Sequence, residues 1–227
     1  LPGGMFAMGS DDQQDEQPVH AVTVPSFEIR RTEVTVSEYE ACVDAGECSE
    51  PDLGLYCNWA DAGYENHPVN CVDWSQAVDF CEWVGGRLPS ESEWEFAARS
   101  GGQDFRFPWG ENPAASCSHA VMNDGGVGCG MDRTWEACSR TAGNTDQGLC
   151  DMAGNVAEWV QDWRHDDYAV DGGAPDDGSA WESPAGIHRV DRGGQLDHSD
   201  LGNMRTTFRY GYDPDHSVGT LGFRCAR

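Results

Sequence analysis

The chain is short of positive charge. Only 14 lysine and arginine residues stand against 40 aspartates and glutamates, a formal net charge of -26 over 227 residues. Such a surface repels phosphate backbones and anionic membranes, because nucleic-acid and lipid binders need the opposite footprint. It keeps a protein soluble and draws divalent cations or basic partners instead. No apolar run approaches the roughly 18 residues of a membrane span, and no signal peptide is visible. No internal repeat, low-complexity tract, G-x-S-x-G elbow or Walker-type loop occurs, which removes the usual marks of nucleophile-elbow and nucleotide chemistry. C-x-x-C is absent too. Ten cysteines without that spacing read as disulfides made outside a reducing cytosol. The expected setting is extracytoplasmic: periplasmic, cell-surface or secreted.

What is present describes a packed but irregular globule. Hydrophobic residues make up 38% with nine tryptophans, while 28 glycines and 11 prolines ask for many turns. The fold class expected is α+β with little regular structure, as one domain over residues 1–227. The alternation of Met5, Phe6 and Met8 and then of Val22, Val24, Phe27 and Ile29 predicts a hairpin around an acidic loop. Three capping boxes, Thr35 with Glu38, Asp73 with Gln76 and Ser90 with Glu93, open three short helices. Their apolar stripes include Val36, Tyr39 and Cys42, then Trp74, Ala77 and Cys81, then Trp94, Ala97 and Ala98. Beyond residue 103 only short strand candidates remain, at 155–160, 187–192, 204–210 and 222–226. They are set in long loops that metal or disulfides must hold.

One stretch asks for a chemical reason. Gly148 to Trp159 reads GLCDMAGNVAEW, with two hard oxygen donors, Asp151 and Glu158, around the flexible pair Gly154 and Asn155. A loop of this kind can wrap Ca2+, which takes six to eight oxygens. The side chains of Asp151 and Glu158 and the carbonyls of Gly154 and Val156 would fill about half of that shell.

The same stretch resembles the G-L-x-D-M-x-G-N-V-x-E-W signature of the formylglycine-generating enzyme family, the sulfatase-modifying factor domain. PGGMFAMGS, PVHAVT, RTEVTVSEY, HPVNCVDW, RLPSESEWEFAAR, FPWG, RGG and GFRCA follow the family order across nearly the whole chain. The resemblance implies a variant of the C-type lectin fold, structural calcium, and a disulfide from Cys81 to Cys225. A second calcium site is common in that family, and Asn123, Asp124 and Asp132 fall in about the right region. Local bridges are expected for Cys42 with Cys48 and Cys57 with Cys71. Pairing of Cys117, Cys129, Cys138 and Cys150 stays open. Since Leu1 already lies inside a family motif, the chain is expected to be excised from, or processed out of, a longer one.

The chemistry the resemblance implies is missing. The family's enzymes hold Cu(I) on two cysteines after the RGG motif, as soft thiolates require. Here no cysteine lies between Cys150 and Cys225, Gln195 replaces the serine after RGG, and Ala157 replaces a tryptophan. Formylglycine generation is therefore excluded. What the sequence leaves is a former active-site groove lined by Gln195, Leu196, Asp197, His198, Asp200, Asn203, Arg209, Tyr210 and Tyr212. Some relatives with this fold are the hypervariable receptors of diversity-generating retroelements. The expected function is a non-catalytic, Ca2+-stabilised module that binds a protein or peptide, with a glycan second, and neither nucleic acid nor membrane. The competing reading is a non-heme Fe(II) oxidoreductase using His198, Asp200 and His216, a two-histidine, one-carboxylate set.

Overall fold

The computed structural model of the protein describes residues 1–227. Strand β1 (Gly4–Met8) pairs antiparallel with β2 (His20–Val24), Phe6 opposite Val22. This is the hairpin expected from the alternation. Helices α1 (Val36–Asp44), α2 (Trp74–Trp83) and α3 (Glu91–Ala98) follow, and each begins at its capping box with both reciprocal bonds made. Four strands come last: β3 (Ala157–Trp163), β4 (Arg189–Arg192), β5 (Arg209–Tyr212) and β6 (Leu221–Phe223). They form one sheet in the order β5-β4-β3-β6, antiparallel except for the parallel pair β3 and β6.

Strand β3 separates two cores because its faces meet different partners. Trp159 and Ala157 join Tyr39, Phe80, Leu88 and Phe223 beneath α1 and α2. Val160 joins Phe6, Val22, Trp94 and Phe96 beneath the hairpin and α3. Periodicity predicts one buried side for α3, but all eight of its residues are buried, including Glu91, Glu93 and Glu95. Acidic side chains tolerate that burial only when paired, and arginines supply the partners: Arg87 for Glu93, Arg99 for Glu95, and Arg192 for both Glu91 and Glu95.

All ten cysteines are in disulfides: Cys42–Cys48, Cys57–Cys71, Cys81–Cys225, Cys117–Cys129 and Cys138–Cys150. The first three are the pairs expected. The other two fasten the irregular stretch between α3 and β3, where only two single turns, Val127–Gly130 and Thr141–Gly143, are regular. The strand expected at 204–210 starts later, at Arg209. Asp200 caps a 3-10 turn over Leu201–Met204, and the Thr206 N–H is taken by the Arg106 carbonyl. That segment has no free ladder edge until Arg209.

Candidate functional site

Strand parity decides what the segment after RGG presents. In the β4–β5 register Asp191 lies opposite Tyr210 and Arg192 opposite Arg209, and successive side chains face opposite sides. Arg192 and Arg209 therefore point together into the interior. Arg209 donates to both oxygens of Glu91, at 2.7 and 2.8 Å, and Arg192 reaches Glu95 at 2.6 Å. Arg209, expected in the groove, is a buried structural cation. A sequence position adjacent to a groove residue faces the other way in a strand.

The opposite face forms a cavity of about 420 Å³. Asp191 lies in its wall, Gln195 and His198 come from the next loop, and Asn203 from the 3-10 turn. Phe208, Tyr210 and Tyr212 close it from β5 and the residue before it. Five of the nine residues expected in the groove, Gln195, His198, Asn203, Tyr210 and Tyr212, thus meet in one place. Leu196 and Asp197 turn instead to a separate 200 Å³ cavity beside Tyr56 and Arg133. The Asp200 carboxylate accepts from Gly202 N–H at 2.8 Å as a cap. Of the iron set, His198 meets Phe208 edge-on and His216 stacks on Tyr212, with centroids 4.4 Å apart. No group of three His, Cys, Asp or Glu side chains is arranged to hold a metal ion.

Asp191 and Phe208 were not expected there. Asp191 is 3% exposed and its Oδ1 is buried with no hydrogen-bond partner. Burial pushes its carboxyl up to about 7, against the pull of Arg164 and Arg192. Burial, then the charge of the same carboxyl, raises the Tyr212 hydroxyl to about 12. His198 is moved the other way: burial lowers it, so the imidazole is neutral at pH 7, and its Nδ1 is also buried without a partner. A tyrosine pair in strand alternation two positions apart, facing an acid one residue before RGG, is the signal that finds this set.

The GLCDMAGNVAEW loop is shaped by left-handed residues, Asp151, Gly154 and Asn155, with φ of 55°, 79° and 62°. At Gly154 a Cβ would lie 2.4 Å from the Val121 carbonyl oxygen, so only glycine fits. Asn155 accepts from Trp135 N–H and donates to Glu33. Glu158 departs from its expected role. Arg224 donates to both of its oxygens and Trp94 Nε1 to one, all within 2.8 Å. In its place Glu33, wholly buried, stands beside Asp151. Burial and the charges of Asp151 and Glu158 push Glu33 well above the ordinary carboxylate range, and burial raises Asp151 as well. Glu33 Oε2 has no donor, and the carbonyls of Gly154 and Val156 accept no backbone hydrogen bond. An all-oxygen set of this kind, holding excess negative charge, fits a hard divalent cation. Asn123 donates to the Asp197 carbonyl, Asp124 accepts from Cys117 N–H, and Asp132 lines the smaller cavity.

Irregular α+β architecture, five disulfides and a pocket at the end of a curled sheet define a scaffold that displays loops on a stiff frame. Residues 1–227 match the profile of the sulfatase-modifying factor enzyme 1-like domain, and the chain belongs to that family. It is 32% identical to the formylglycine-generating enzyme of Streptomyces coelicolor, covering 100% of this chain and 87% of that protein. It is 34% identical to the serine/threonine-protein kinase Pkn1 of Chlamydia trachomatis serovar L2, where it covers 100% of this chain but 37% of the relative. The chain thus spans little more than a third of that kinase. Among solved structures, PvdO from Pseudomonas aeruginosa superposes with a TM-score of 0.83 at 32% identity, over 100% of this chain and 92% of that one. The fold is the formylglycine-generating-enzyme type that the motifs implied.

Proposed function

We propose that the protein is a non-catalytic binding module that receives a peptide or protein segment in the Asp191–Tyr212 pocket. The observation that carries this reading is the pocket's composition. It offers aromatic faces and hydrogen-bonding groups but no thiol, since every cysteine is in a disulfide. Loops fixed on a rigid scaffold are where recognition concentrates, and tyrosine is a strong contact residue. The five disulfides support an extracytoplasmic setting. A glycan is the second class of ligand. Selection of a displayed peptide library on the wild type, counter-selected on a Gln195→Ala/His198→Ala/Tyr210→Ala variant, should yield peptides that need the pocket. Equal recovery on both would refute the reading. The unpartnered His198 Nδ1, in the wall of the same cavity as Asp191, favours a second reading, an iron(II) oxidoreductase. Stoichiometric iron in protein purified without chelator would favour that reading over the first.

The same reading includes structural Ca2+ on Asp151, Glu33 and the Gly154 and Val156 carbonyls. A ligand that binds only the native state adds stability by mass action, about 2.7 kcal/mol at a hundredfold excess over Kd. Chelation should therefore lower the melting temperature by several degrees, and Asp151→Asn should abolish the difference. Identical melting with calcium and with chelator would count against the ion.

A further inference from the structure

Resting on the pocket as a ligand site, we propose that it takes an alkylammonium group, with Asp191 as counter-ion and Tyr210, Tyr212 and Phe208 as aromatic walls. The first observation is the carboxylate itself. Asp191 is 3% exposed, faces the cavity, and has a buried oxygen that no group of the protein satisfies. Isolated buried carboxylates are costly, so a partner from outside the chain is the missing half of the interaction.

The walls are the second observation. Tyr210 lies directly across from Asp191 in the ladder, and the Tyr210 and Tyr212 rings meet edge-on with centroids 5.1 Å apart. Tyr212 is held from behind by His216, stacked at 4.4 Å, and by Trp159 at 6.4 Å. An ammonium over fixed aromatic faces is attracted by their quadrupoles, and a carboxylate adds charge complementarity. The protein already uses this chemistry on the same sheet face. Arg189, two residues before Asp191, lies between Trp74 and Trp163, 3.8 and 3.6 Å from their ring centroids.

Third, nothing of the chain's own competes. It contains no lysine, and no arginine lines the cavity. The charged groups around Asp191 are engaged elsewhere: Arg164 with Asp15, Arg192 with Glu91 and Glu95, and Glu91 also with Arg209. His198 is kept neutral by burial. The net charge of -26 draws cations toward the surface. About 420 Å³ admits an ammonium with a short alkyl chain or three methyl groups.

The test titrates n-butylammonium, pentyltrimethylammonium and a lysine-containing tripeptide, with its norleucine counterpart as control. Backbone amide NMR shifts are followed at pH 8, where Asp191 is ionised. Saturable shifts confined to residues 191–212 are expected. Asp191→Asn should weaken binding at least tenfold and Tyr210→Ala severalfold, while both variants keep the wild-type spectrum elsewhere. Tighter binding of the lysine tripeptide than of butylammonium identifies a peptide side chain as the source; the reverse identifies a free amine. No saturation, equal affinity in Asp191→Asn, or equal binding of the norleucine tripeptide overturns the proposal. So does a divalent metal that shifts these amides when no amine does. If library peptides bind through the pocket without enriching basic residues, the ligand reading survives and this one falls.

Discussion

Arg224→Met should cost about 3–5 kcal/mol of unfolding free energy, the range for stranding a buried charge by removing its partner. Arg224 is wholly buried. It donates to both oxygens of Glu158 and to the carbonyls of Arg30, Arg31 and Cys150. It also faces Glu33 and Asp151, so one guanidinium compensates three carboxyls. Methionine matches the length of the stem but leaves those acids without a counter-ion and three carbonyls short of a donor. The double variant Arg224→Met/Glu158→Gln should regain part of the loss, because one of the three stranded charges is then gone while Trp94 Nε1 keeps an acceptor. Urea denaturation in chelator measures both. A loss below about 1 kcal/mol in the single variant, or no recovery in the double, would show that Arg224 is not what neutralises the cluster.

The legible parts of this fold are the local ones. Each helix start is written within four residues, as in Ser90 and Glu93, because the cap satisfies orphan N–H groups of its own turn. Cys42–Cys48 and Cys57–Cys71 are likewise short-range. What could not be read depends on register. Arg209 and Tyr210 look alike as groove residues until β5 is laid against β4, which sends one to Glu91 and the other to the pocket. Asp191 was missed because its burial is imposed by neighbours that arrive from elsewhere in the chain, and the tyrosine pair facing it acquires meaning only once β5 is laid against β4. Glu33 stands beside Asp151 across more than a hundred residues, and only the folded chain shows that it, and not Glu158, has an oxygen free. The family motifs found the scaffold because they run in order through the whole chain.

Stability should rise as the solution is acidified from pH 8 to pH 5. Four buried carboxyls point that way: Asp162, Asp191, Glu33 and Asp151. Burial, then Glu91, pushes Asp162 up to about 7, opposed by the backbone N–H groups of Trp181 and Glu91. Burial does the same to Asp191, opposed by Arg164 and Arg192. A carboxyl with a higher pKa in the folded than in the unfolded chain keeps its proton in the folded state alone between roughly pH 4 and 7. The native state then binds more protons than the unfolded one, so stability falls as pH rises through that window. Asp162 and Asp191 each contribute at most on the order of 4 kcal/mol across it, from 1.36 kcal/mol per pH unit. Lower pH also relieves the repulsion of a chain with net charge -26. The opposite limb comes from Glu91, whose carboxyl Arg209 and Arg192 hold below its ordinary value despite burial; its contribution is present above the ordinary carboxylate range and is lost in stronger acid. Asp191→Asn isolates one of these terms, because Asp191 Oδ1 has no donor to lose, whereas both oxygens of Asp162 accept backbone N–H groups that an amide nitrogen would clash with. Urea midpoints at pH 5, 6, 7 and 8 should show the wild-type slope reduced by about one proton in Asp191→Asn. A wild-type stability that is flat or increasing over that range, or a slope unchanged in the variant, would mean that Asp191 is ionised in the folded protein at neutral pH.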